Sequence, residues 1–208
     1  MELPTLVRTR TSLHGVAEAV LAGPQFRASK DIRLRVTPGG FGTVTDPDLR
    51  VDGDTLVAGG TRVPLAGHTY ATLAAAAGVE AGLLRPEVYA DGPDIRLGDP
   101  IDVDPAAARL LASCFALGDE ALRALDPAAE RVLWPEHFDI GSTVDKINYG
   151  VSPGDGYLAE PYAYIGPWRI PRGAFWNAPF GAARPMSRLP DAGAVLAFFR
   201  EGRSAVAR

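Results

Sequence analysis

The chain has 208 residues, 47% hydrophobic and 22% charged, with a formal net charge of −4. A chain of this size can bury about 70% of its unfolded surface, and its near-average hydrophobic and charged fractions and weak net charge favour neither disorder nor a broad nucleic-acid-binding surface. With 23 glycines and 18 prolines, the two make up more of the chain than the usual ~12%, so many tight turns are expected.

In chain order, the first helix is expected over Leu13–Leu21, where Leu13, Val16, Val20 and Leu21 fall at helical spacing behind Thr11 or Ser12, with Gly23-Pro24 as its stop. Ile32, Leu34 and Val36 then alternate with Arg33, Arg35 and Thr37 as in a half-buried strand, and residues 51–57 read as a hairpin about Asp52-Gly53. Thr69–Val79 is a short alanine-rich helix. The clearest helix opens at Asp104 as N-cap with Pro105 in the first turn, places Leu110, Leu111, Phe115 and Leu117 on or near one face, and meets a possible break at Gly118. Strands are expected over 131–141, 144–151, 157–165 and 174–181, separated mostly by Pro-Gly or Gly-Pro turns. Asp191 caps a last helix carrying Val195, Leu196, Phe198 and Phe199, with Gly202 as its C′ residue.

This order predicts an α+β fold of antiparallel meanders flanked by helices, in two pseudo-repeats over residues 1–100 and 101–208. Ile32, Val36, Thr37, Pro38 and Gly39 match Ile147, Val151, Ser152, Pro153 and Gly154 at one shift, and Glu18–Leu21 with Phe26 matches 130–133 with Phe138 at a shift three residues smaller. Apolar strands ending in Pro-Gly also recur by chance, and Glu18–Leu21 looks helical where its counterpart looks extended.

Cys114 is the only cysteine, so no intrachain disulfide forms and a reducing, cytoplasmic setting is expected. The first residues do not read as a signal peptide, and the longest apolar stretch, 192–199, is far short of the ~18 residues that would span a bilayer. Arginines outnumber lysines nineteen to two, which reads as the codon bias of a GC-rich genome. Phosphate-loop, dinucleotide, zinc-protease and nucleophile-elbow motifs are missing, and Gly39–Gly42, Asp46–Asp48 and Asp52–Asp54 are turns before they are phosphate or calcium sites. His14, His68 and His137 lack the local spacing of a metal site, so neither metal nor cofactor is expected.

Residues 131–180 hold ten of the seventeen aromatic residues, including every tryptophan. Two readings stand: a sheet core packed by large rings, or an aromatic wall for a flat small molecule. Within this stretch His137 and Asp139 share strand parity, and an imidazole beside a carboxylate can serve as a general base. Glu160, Tyr162 and Tyr164 share parity on a later strand, and Asn148 lies on the strand between. The candidate catalytic residues are therefore His137, Asp139 and Glu160, and the candidate ligand contacts Trp134, Asn148, Tyr162, Tyr164 and Trp168.

The stretches Leu133-Trp-Pro-Glu-His-Phe-Asp139, Asn148-Tyr-Gly-Val-Ser-Pro-Gly-Asp155, Glu160-Pro-Tyr-Ala-Tyr-Ile-Gly-Pro-Trp168 and Trp176-Asn-Ala-Pro-Phe180 resemble a family of uncharacterised proteins from high-GC actinobacteria. The resemblance implies a bacterial cytoplasmic protein and no particular activity. Taken together, the expectation is a small-molecule-binding protein that, if an enzyme, does general acid–base chemistry of the hydrolase or isomerase type without a metal. The alternative is an interaction or scaffold protein whose aromatic sheet is core or a homodimer face. Neither nucleic acid nor membrane is an expected partner.

Overall fold

The structure is a computed structural model that describes residues 2–84, 88 and 92–206. It has the expected α+β composition, with antiparallel meanders flanked by helices, and divides into two compact units, residues 1–113 with 133–138 and residues 114–132 with 139–208.

The first unit opens with one uninterrupted helical run: α1 (Leu3–Gly15), a π-helical segment (Val16–Ala22) buried at every residue, and α2 (Gly23–Ser29). Gly23-Pro24 therefore does not stop the helix as the sequence suggested. In the π register the Gly23 amide donates to the Glu18 carbonyl, and the next donor in that register would be residue 24. Pro24 has no N–H, so the Ala19 carbonyl accepts instead from Gly82, at 2.9 Å. Glycine at 23 serves this approach: a Cβ there would stand 1.9 Å from the Gly82 carbonyl oxygen. The run ends at Lys30, which adopts the left-handed conformation and donates its N–H to Phe26.

A five-strand meander follows, β1 (Leu34–Thr37), β2 (Gly40–Thr43), β3 (Leu49–Asp52), β4 (Thr55–Ala58) and β5 (Thr61–Pro64), each strand antiparallel to its neighbour. The Asp52-Gly53 hairpin forms as expected, with Gly53 at φ 61°. Helix α3 (Tyr70–Ala76) carries a capping box in which Thr69 and Thr72 bond each other's backbone amides. Gln25 fastens the helical run to the meander: its fully buried amide donates to the Asp31 and Arg33 carbonyls and accepts from the Val44 and Thr45 amides.

Helix α4 (Pro105–Leu125) starts at Asp104, whose carboxylate accepts from the amides of Ala106 and Ala107. It passes through Gly118 without a break. In the second unit Gly118 is where the helix lies closest to the sheet, since a Cβ there would come within 2.8 Å of Val151 and 2.9 Å of Ile140.

Instead of one strand over 131–141, β6 (Val132–Trp134) is followed by a turn through 135–138, with Phe138 at φ 53°, and β7 begins at Asp139. Leu133 of β6 pairs with Leu34 of β1. The second unit is the meander β7 (Asp139–Val144), β8 (Ile147–Ser152), β9 (Tyr162–Pro167) and β10 (Ala182–Pro185). Residues 174–181 form no strand: Asn177 bonds both backbone groups of Ala183 with its side chain, taking the place of a ladder. Helix α5 (Ala192–Val206), capped by Asp191, runs through the expected stop at Gly202, which is buried against Ile165 and Phe175. Among the described residues no helix is long and apolar enough to cross a membrane.

Replacing Gln25 with alanine strips partners from four backbone groups, so urea unfolding should show a loss of about 2–4 kcal/mol; a loss under about 0.5 kcal/mol would mean the amide does not fasten helix to sheet.

Candidate functional site

Pleat parity gives the second unit's sheet two unlike faces. Ile140, Tyr149, Val151 and Ile165 point to the side covered by α4 and α5, where Tyr149 packs edge-on to Phe199 at 5.5 Å. Tyr162 and Tyr164, two residues apart on β9, point to the other side. Tyr164 pairs in register with Gly150, and Gly150 with Gly141. The two glycines leave a trough across β7 and β8, and the Tyr164 ring fills it: a Cβ at Gly150 would lie 2.5 Å from the phenol oxygen, and one at Gly141 3.0 Å from it. The ring thus reaches the start of β7, where its hydroxyl donates to Asp139 Oδ2.

A second pair lies beside the first. Tyr162 donates to Asp155 Oδ2 at 2.5 Å, while Asp155 Oδ1 holds the turn 155–158 by accepting from the Tyr157 and Leu158 amides. Tyr157 and Phe180, with ring centroids 5.1 Å apart, complete an aromatic cluster in which Tyr162 is buried against Ala178 and Ala183 and Tyr157 is the exposed ring. Phe180 lies 6.3 Å from Tyr162 and 6.4 Å from Tyr164. Loss of water around the Tyr164 phenol, then the Asp139 charge and hydrogen bond, raise its pKa well above the ordinary value, and desolvation followed by Asp155 does the same for Tyr162. Both phenols therefore stay protonated at neutral pH. Having given its one proton to a carboxylate, each phenol oxygen can only accept further hydrogen bonds.

Of the eight residues selected from sequence, Asp139, Tyr162 and Tyr164 meet on this face. Asn148 shares its parity but is exposed and bonded to Thr143 at 2.8 Å, and Glu160 accepts from Ser187 at 3.0 Å. Trp168 is 67% exposed at the end of β9. In the first unit, Trp134 is half-buried at the end of β6, and His137 is exposed with its Nε2 3.2 Å from Glu136. His137 stands in a turn, so the strand alternation that gave it a common face with Asp139 does not operate there. Sequence reasoning missed the trough, although Gly141 and Gly150 inside candidate strands were a signal for close approach of a ring.

It also weighed His14 only as a metal ligand and did not foresee its buried position. The imidazole stacks on Phe138 with ring centroids 5.4 Å apart, and its Nε2 lies 2.7 Å from the Pro135 carbonyl oxygen, which can only accept, so Nε2 carries the proton. Burial drives its pKa down to about 4. Cys114 is buried and its thiol is pushed up to about 11, which makes it a packing residue rather than a nucleophile. Burial likewise raises the Tyr149 phenol to about 12. Among the described residues no cluster of three or more His, Cys, Asp or Glu is arranged to hold a metal ion.

No protein-family model, curated protein or solved structure matches the chain.

Because His14 is depressed from 6.5 to about 4, the unfolded chain binds its proton first on acidification. Its contribution to stability is complete above pH 6.5 and is lost as pH falls through about 4, a change on the order of 3 kcal/mol. Urea unfolding across pH 4–7 should show this slope, and the His14→Gln variant should lose one proton's worth of it; an unchanged slope would contradict a buried neutral imidazole.

Proposed function

We propose that the chain is a small-molecule-binding protein whose ligand docks on the helix-free face of the second unit, over Tyr157, Tyr162, Tyr164 and Phe180. The observation that carries this reading is the repeated phenol–carboxylate pair. Two tyrosines on one strand face each hand their proton to an aspartate, leaving a partly buried aromatic surface, most exposed at Tyr157, whose polar atoms accept hydrogen bonds. Such a surface suits a flat molecule with an N–H or ammonium donor, through hydrogen bonds to oxygen and cation–π contact with the rings, and repels a carboxylate. General acid–base work of the hydrolase or isomerase kind would fall to Asp139, the carboxylate bonded at the trough, with Tyr164 passing the proton.

The competing scaffold reading draws on the ring spacing, since 5.1–6.4 Å between centroids is the packing of touching aromatics. The two separate with benzylamine and benzoate as fragment probes, followed by ligand-observed NMR. Benzylamine should bind at millimolar level and benzoate should not. Tyr164→Phe should weaken benzylamine about tenfold, the value of one hydrogen bond to a charged group, and lower the melting temperature by only the several degrees that loss of its bond to Asp139 accounts for. No binding by the wild type, or a large drop in melting temperature with no change in binding, would assign the face to structure alone.

A further inference from the structure

The loop after β9 carries an unusual exposed set of side chains. Residues 168–173 read Trp-Arg-Ile-Pro-Arg-Gly, and in them Trp168 is 67% and Ile170 46% exposed, while Arg169 and Arg172 face solvent. No ring pair among the described residues includes Trp168. The loop is nonetheless fixed at both ends. The Trp168 amide donates to the Lys146 carbonyl at 3.1 Å, and the Trp176 amide donates to Gly173 at 3.2 Å. Phe175 anchors the far end against Phe198 of α5, with centroids 5.9 Å apart. The exposed indole is therefore held out on an ordered support.

The neighbouring charge is cationic. Asp145 and Lys146 form the tip of the β7–β8 hairpin, both with positive φ, and the Trp168 bond sets that tip beside the loop. Asp145 is matched by Arg203 at 2.5 Å, whereas Lys146, Arg169 and Arg172 have no carboxylate within ion-pair distance among the described residues. A chain of net charge −4 thus carries three unmatched cations on the loop and hairpin tip that also present two exposed apolar side chains. Scattered exposed hydrophobics need no explanation, but exposed apolar groups on a held loop that also carries cations, beside a third on the neighbouring hairpin tip, combine two separate attractions.

We propose that this loop docks the protein on an anionic lipid surface, with Trp168 and Ile170 entering the headgroup region and Lys146, Arg169 and Arg172 meeting lipid phosphates and carboxylates. Tryptophan is the side chain that settles at a membrane interface, because its ring is apolar and its N–H stays solvated. The cations supply the complement to anionic lipid. Single-stranded nucleic acid could also use a tryptophan and arginines, but it binds along a basic groove with successive stacking rings, and one indole beside an isoleucine offers no such track. Hydropathy detects only spanning segments, so a docking tip of this kind departs from the expectation of no membrane partner without contradicting the absence of a membrane-crossing helix.

The test is cosedimentation of the full chain with vesicles of pure phosphatidylcholine, and of phosphatidylcholine with phosphatidylglycerol at three parts in ten. Binding should appear only with phosphatidylglycerol, should shift tryptophan emission to shorter wavelength, and should fall with added salt. The double variant Arg169→Glu, Arg172→Glu should weaken binding at least thirtyfold, since each arginine at an anionic surface contributes roughly fivefold. Trp168→Ser should abolish the emission shift. If the double variant fails to fold, Lys146→Asn, which tolerates the left-handed backbone, should weaken binding about fivefold. Absence of binding to anionic vesicles, equal binding to neutral ones, indifference to these substitutions, or tighter binding to a poly-uridine oligonucleotide than to vesicles would each overturn the proposal.

Discussion

A phenol ring lies flat across neighbouring strands only where those strands carry no side chains on that face. In the second unit Gly141 and Gly150 supply that gap in register, and Tyr164 spans it to meet Asp139. The arrangement depends on the pleat. A one-residue slip of β8 against β9 would set Tyr164 opposite Tyr149 or Val151 and turn the ring's neighbours to the helix-covered face. Gly118 of α4, pressed on Ile140 and Val151 from that other face, holds the same register from behind. Close packing on one face and an aromatic polar surface on the other are thus two results of one alignment.

The first unit relies on a comparable substitution of partners. A π-helical stretch leaves the Ala19 carbonyl without a helical donor because the residue due to provide it is Pro24, and Gly82 supplies the N–H. π-helical segments are rare and frequent at functional places, and this one carries the buried carboxylate of Glu18, which accepts from the Leu84 amide. Here the irregular chain after α3 performs a task that regular secondary structure performs elsewhere, satisfying buried backbone groups of a helix.

Much of the fold was legible because its signals are local. Asp104 before Pro105, Asp191 before an apolar run, and Asp52-Gly53 between alternating strands each fix backbone geometry by themselves, and each formed where expected. The glycine readings failed for a tertiary reason. Gly23, Gly118 and Gly202 look like helix stops in sequence, but the helical backbone runs on through all three, and each is glycine because another element comes too close for a Cβ. Of the site, the tyrosine parity on β9 was readable, and it did bring Tyr162 and Tyr164 onto one face. The parity linking His137 to Asp139 was not transferable, since Phe138 adopts a positive φ and closes a turn that no alternation pattern announces. The buried contact of His14, which in sequence was weighed only as a metal ligand, was not legible because its acceptor, the Pro135 carbonyl, lies 121 residues away along the chain.

A double-mutant cycle on Tyr164→Phe and Asp139→Asn, read by urea unfolding, tests the alignment most directly. If the phenol spans the glycine trough and donates to the carboxylate, the two substitutions should couple by about 1.5–3 kcal/mol, as expected of a hydrogen bond to a charged group. Additivity within about 0.3 kcal/mol would show that the two side chains do not meet, and the candidate face would lose the contact on which it is built.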